Sequence, residues 1–125
     1  MDTADFINKG FTYAIVGASN NPDKYGHKVM ADLQQAGFKV VPINPKEHRI
    51  LDEQVYANLA EYPDPIDVVI FVVPPNATRK VLEDVAVLDI RKVWMQPGSE
   101  SDESIAFCED HGIDCVHDAC IMLSH

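Results

Sequence analysis

Basic residues are scarce in this chain: ten lysines and arginines stand against twenty aspartates and glutamates, a formal charge of −10. A general affinity for nucleic acid or for an anionic membrane needs a basic face, so neither partner is expected. Long apolar runs are missing too, and nothing approaches the roughly 18 residues of a spanning helix. The opening "MDTADFINKG" carries two acids where a secretory leader has basic residues and an apolar core, so a cytoplasmic location is expected. Cysteine occurs three times, at Cys108, Cys115 and Cys120, all within the last eighteen residues. An odd, late-crowded set does not make a disulfide framework and points to reduced thiols. Glycine is sparse, with six in the chain, and no G-x-G-x-x-G dinucleotide fingerprint is present.

What is present is alternation between strand-like and helix-like segments over a length suited to one domain, residues 1–125, without repeats or linkers. Strands are expected near Tyr13 to Val16, Lys39 to Ile43, Asp67 to Val73, Lys92 to Met95 and Asp114 to His117. "DVVIFVV" is a continuous β-branched run, as a strand buried on both faces requires. Helices are expected through "KVMADLQQAG", with Val29, Leu33 and Ala36 on one stripe and Gly37 as the stop, from Asn76 (as N-cap) to Leu88, and from Asp102 to His111 between a Ser101 cap and Gly112. "TADFINKG" reads as a short helical arm, and Ile50 to Pro65 as an edge strand near Gln54 to Tyr56 with a helical turn through Leu59. The pattern predicts an α/β, Rossmann-like, doubly wound and mainly parallel sheet of five or six strands, with helices on both faces. The first strand should lie between the second strand and "DVVIFVV".

Ligands in such a sheet sit at the carboxyl ends of the strands, where the order reverses. Four loops converge there. In "VGASNNPDKYG", Gly17 permits a tight turn, Ala18 and Ser19 follow it, and a helix starting near Lys24 and Gly26 aims free N–H groups at the loop, a setting that favours a phosphate. NAD-dependent enzymes place an acid at the end of the second strand for the ribose; here that position reads Asn44, Pro45, Lys46, and a lysine suits a phosphorylated ribose. From Asp23 to Arg49 there are five basic residues against three acids, the one net-positive stretch. Val73 ends the third main strand, and the two prolines after it, Pro74 and Pro75, offer an apolar wall for a flat base. Gln96 and Gly98 end the next one. Each feature also has a plain structural explanation, as turn, cap or solvated charge.

Taken in order, "VGASNNPDKYGHKVM", "GFKVVPINPK", "VYANL" with "IDVVIFVVPP", "KVWMQPGSES" and "GIDCVHDAC" resemble the small single-domain CoA-binding proteins, whose fold is shared with the CoA-binding part of succinyl-CoA synthetase α subunits. The resemblance runs from about Phe11 to Met122. It implies a coenzyme A or acyl-CoA ligand: the turn would hold its phosphates, the loop after the second strand would meet the adenosine end, and the two later loops would complete the cleft. The family often has glycine where this chain has Asp52, and a less acidic loop than "GSESDE".

The resemblance also implies what is missing. The synthetases carry a phosphorylated histidine and an ATP-grasping module that 125 residues do not supply. No set of residues has the context of a nucleophile motif, so no catalytic residue is assigned. Cys108, His111, Cys115 and His117 lack the spacing of a zinc ribbon or finger, and no metal is expected. Cys108 and Cys115 read as buried free thiols, and Trp94 as core. Cys120, just past the last strand, is either another buried thiol or a neighbour of the thiol end of CoA. Two functions remain open: non-catalytic CoA or acyl-CoA binding as a sensor, carrier or regulatory partner, or an NAD(P)- or other nucleotide-dependent enzyme on the same fold. A homodimer or a protein partner is compatible with either.

Overall fold

The computed structural model describes residues 2–125. A 3-10 turn at Thr3–Phe6, capped by the Asp2 carboxylate, leads into β1 (Thr12–Val16), α1 (Tyr25–Gln35) and β2 (Lys39–Ile43). A small hairpin follows, β3 (Arg49–Ile50) and β4 (Glu53–Gln54), then a 3-10 turn at Leu59–Glu61. The chain continues through β5 (Val68–Phe71), α2 (Pro75–Val87), β6 (Lys92–Met95), α3 (Asp102–Asp110) and β7 (Asp114–Val116). A last 3-10 turn spans Ile121–Leu123.

The five main strands form one parallel sheet in the order β2-β1-β5-β6-β7, so β1 lies between β2 and "VVIF", as the sequence predicts. Side chains alternate across it. Tyr13, Ile15, Val68, Ile70 and Trp94 pack with Val29, Met30 and Leu33 of α1. Ala14, Val16, Val69, Phe71, Val93 and Met95 pack on the opposite face with Leu82 and Val85 of α2 and Phe107 of α3. The period-2 alternation of a strand therefore builds two cores, and burial on both sides explains why these strands read as unbroken apolar runs. β1 and β2 leave the order in one direction and β5 to β7 in the other, so the reversal lies at the carboxyl ends of β1 and β5.

Three boundaries differ from expectation. β5 stops at Phe71 because the chain turns toward the next loop: the Val73 amide donates to Ser99 Oγ at 3.1 Å. α2 starts at Pro75, with Pro74 in the cap position and Asn76 exposed, because proline needs no acceptor at the first helical residue. The edge strand expected at Gln54 to Tyr56 is instead a separate antiparallel hairpin, and Tyr56 touches the main sheet only through a bridge to Ile43. Its turn places Leu51 (φ 49°) and Asp52 (φ 67°) both in the left-handed region, the form that two-residue hairpin loops favour. Aspartate tolerates that region better than most residues, which accounts for Asp52 at a position where glycine would be easiest.

Candidate cleft at the carboxyl edge of the sheet

The turn after β1 is held by a contact between two glycines. Gly17 has φ +99°, and a Cβ there would lie 2.3 Å from the Val72 carbonyl oxygen. Gly26, in the first turn of α1, lies against Gly17 so closely that a Cβ would stand 1.9 Å from the Gly17 oxygen. No side chain this large can be accommodated without moving backbone, so the two residues together let the helix descend onto the strand end. Gly26 performs the close-approach task that the third glycine has in the missing fingerprint.

The intervening loop is ordered by its own polar groups. Ser19 Oγ accepts from the Asn21 amide at 3.0 Å, Asn21 Oδ1 accepts from the Asp23 amide at 3.0 Å, and the His27 ring Nδ1 bonds the Ser19 carbonyl at 2.9 Å. Two asparagines tie it to the loop after β2: Asn44 Nδ2 donates to the Ala18 carbonyl at 2.9 Å, and Asn20 Nδ2 donates to Glu47 at 2.6 Å and to the Arg49 carbonyl at 2.9 Å. By contrast α1 has Lys24 as its N-cap and no side-chain cap, and the Tyr25 and Gly26 amides have no acceptor among the described residues. Uncapped amides at a helix start are the groups an anion satisfies.

Three depressions run side by side around this turn. The middle one, of about 470 Å³, is walled by Gly17, Ala18, Ser19, Lys24, Gly26, Asn44 and Pro74. On one side a slot of about 420 Å³ lies between Ile43, Asn44, Pro45 and the 57–59 segment on one wall and Ala77, Val81 and Asp84 of α2 on the other. On the other side a cavity of about 570 Å³ lies among Tyr25, Pro74, Pro75, Gln96, Gly98 and Cys120. Val73 borders all three. Of the thirteen residues singled out from sequence, Lys46 alone lines none of them; it is exposed just beyond Pro45, its amide bonded to Asn44 Oδ1 at 2.8 Å.

Some residues play other parts than their positions suggest. Pro75 lines the Gln96 cavity and Pro74 that cavity and the middle depression, while the apolar lining of the slot at the end of β2 comes from Ile43, Pro45, Val73, Ala77 and Val81. Gln96 is buried, with its Oε1 accepting from the Ile121 amide at 2.8 Å and its Nε2 donating to Cys120 Sγ at 3.3 Å. It therefore anchors the last loop and presents Cys120, which is half-buried at the cavity wall. Tyr25, Ser99 and the Ala77, Val81, Asp84 stripe are wall residues that the sequence reading missed. The last could have been found, because i, i+4 and i+7 share one helical face.

The other two cysteines stay out of the cleft. Cys108 is buried, and Cys115 is half-buried with its sulfur 3.8 Å from that of Met95. The neighbouring Cys115 thiol holds Cys108 below the usual thiol range, while Cys108 and burial push Cys115 well above it. His111 is turned back on the Phe107 carbonyl at 2.9 Å and His117 on Asp118 at 2.6 Å. No group of three or more His, Cys, Asp or Glu that could hold a metal occurs among the described residues.

Residues 11–125 match the model of the CoA binding domain family, and the chain belongs to it. An uncharacterized protein of Bacillus subtilis is 27% identical over 121 residues, which cover 97% of this chain and 90% of that one. An ADP-forming acetate–CoA ligase of Methanocaldococcus jannaschii is 35% identical over 79 residues, 63% of this chain but 11% of the ligase. Among solved structures, a conserved hypothetical protein of Pyrococcus furiosus superimposes with a TM-score of 0.89 at 38% identity, covering 92% of this chain and 99% of that one.

Proposed function

We propose that the chain binds coenzyme A or an acyl-CoA in this cleft without transforming it, as a sensor, carrier or regulatory partner. The observation that carries the reading is that three depressions sharing Val73 lie side by side around one uncapped helix start. An elongated ligand with an anionic middle matches that layout: the diphosphate against the Gly17 to Gly26 turn, the adenosine end in the slot beside β2, and the pantetheine arm along the cavity that ends at Cys120. Lys46, exposed just beyond Pro45, is our candidate for the contact with the ribose phosphate. The absence of an acid at the end of β2 counts against an NAD-type ribose contact. The ligase activity printed for the longer relatives belongs to proteins of which this chain matches a small part. Three free thiols suit a reducing, cytoplasmic setting.

The test is a thermal-shift series with CoA, acetyl-CoA, NAD, NADP and ATP. A ligand that binds the native state alone at 100 times its dissociation constant adds about 2.7 kcal/mol of stability. CoA or acetyl-CoA is expected to raise the midpoint most. A shift with NAD and none with saturating CoA overturns the reading.

A further inference from the structure

The slot beside β2 has a polar inventory that selects among bases. Its walls are mostly apolar: Ile43 and Pro45 from the end of β2, Leu59 from the turn that follows the hairpin, and Ala77 and Val81 from α2. Three polar side chains reach it, Asn44, Asn58 and Asp84. Two are already engaged. Asn44 donates to the Ala18 carbonyl and accepts from the Lys46 amide, and Asn58 accepts from the Glu61 amide at 3.1 Å while donating to the Glu61 carboxylate at 3.2 Å. Asp84, exposed at the mouth of the slot one turn beyond Val81, has no side-chain hydrogen-bond or ion-pair partner among the described residues.

An apolar slot whose rim carries one exposed side chain with no partner among the described residues, and that side chain a pure acceptor, fits a flat heterocycle that donates from its edge. We propose that Asp84 accepts a hydrogen bond from the exocyclic amine of adenine and so sets the base preference of the cleft. The proposal rests on the CoA reading above and adds to it the residue that distinguishes adenine from its 6-oxo counterpart, hypoxanthine, which presents an acceptor at the same edge. A carboxylate facing that oxygen gains nothing and repels it. An asparagine can rotate its amide to donate instead, so the preference is a property that one substitution can change.

The experiment measures the affinities of CoA and of deaminated CoA, which carries hypoxanthine, for the wild-type chain and for Asp84→Asn. The wild-type chain is expected to favour CoA by about tenfold, equivalent to about 1.4 kcal/mol. Asp84→Asn should erase or invert that ratio while still binding one of the two ligands, which shows that the variant is folded. If the wild-type chain binds both ligands equally, or the variant keeps the wild-type ratio, the assignment of Asp84 is wrong and the CoA reading stands. If neither ligand binds the wild-type chain, the CoA reading fails and the assignment falls with it.

Discussion

The two edges of the sheet are built from the same strands and treated in opposite ways. At the amino edge the polar groups around β1 are closed. The Thr12 amide donates to Asp67 Oδ2 at 2.8 Å, and its carbonyl accepts from the Asp67 amide at 3.0 Å. The Tyr13 hydroxyl donates to the Phe6 carbonyl at 2.7 Å and accepts from the Asn8 amide at 3.0 Å. Lys9 reaches the Ala36 carbonyl and sits over the Phe38 ring, whose other neighbours include Tyr13 and His125. At the carboxyl edge, loops are tied to each other while amides, an acid and a thiol are left facing three depressions. The contrast holds for β1: its amino end is bonded to its own chain, while its carboxyl end leaves helix amides uncapped beside three depressions.

Breaking the open edge should have the largest effect, and Gly26 is the place to do it. A Cβ at Gly26 meets the Gly17 carbonyl, so Gly26→Ala must either lift α1 from the strand or open the turn. A loss of about 3 kcal/mol in urea unfolding is expected, since overpacking against backbone cannot relax by rotamer change, together with loss of CoA binding. Gly98 is the matched control. Its φ of +96° strains any other residue, but nothing lies within 4 Å of the added carbon. Gly98→Ala should cost about 1 kcal/mol, the backbone term alone. Equal losses at the two sites would mean that close approach at Gly26 is not what holds the turn.

A smaller effect should follow from removing charge at the rim without touching the walls. Lys46 is exposed and lines none of the three depressions, so Lys46→Ala should change stability by no more than about 0.5 kcal/mol. If its ammonium meets the ribose 3′-phosphate, the variant should lose about tenfold in affinity for CoA and little for dephospho-CoA, by roughly the lower end of a charge-assisted hydrogen bond. Titration calorimetry with both ligands reads the difference. Equal losses would move the lysine's contact elsewhere on the ligand.

How much of this contrast was legible in sequence follows from which physics is local. "DVVIFVV" announces a strand covered on both faces because burial of both faces leaves no polar alternation. Ser101 and Gly112 bound α3 as expected, since caps act within a few residues: Ser101 Oγ accepts from the Ser104 amide at 3.0 Å, and Gly112 has φ +67°. The hairpin at Arg49 to Gln54 was not legible. Two-residue strands carry no period, and its left-handed turn uses a leucine and an aspartate where a glycine would have signalled it. In the cleft, the residues beside turn glycines and strand ends could be named one loop at a time. Gly26 was named for its place in the helix start, but its contact with the Gly17 oxygen is tertiary. That Asp84 lines the same slot as Asn58 and Pro45 depends on how α2 crosses the sheet, which no local pattern encodes.

The closed edge offers the smallest and most specific change, at Tyr13. The hydroxyl is buried and bonded on both sides, so Tyr13→Phe leaves the Phe6 carbonyl without its donor and the Asn8 amide without its acceptor, for a loss of about 1 kcal/mol at neutral pH. Burial raises the phenol's pKa above its ordinary value; the Asn8 amide pulls it back by less than that, and the nearby Asp67 carboxylate adds a smaller upward push. A group whose folded pKa is raised holds its proton in the native state after the unfolded chain has released it. The unfolded state then binds fewer protons, and stability falls as pH climbs past about 10 and on through the folded value. Tyr13→Phe should therefore start lower at pH 7 and lose less between pH 9 and pH 11 than the wild-type chain, as read by urea midpoints across that range. Parallel decline in the two proteins would assign the alkaline limb to other groups, Cys115 first among them, whose thiol is pushed up by Cys108 and by burial. CoA affinity at neutral pH should not change in this variant, because the amino edge takes no part in the cleft.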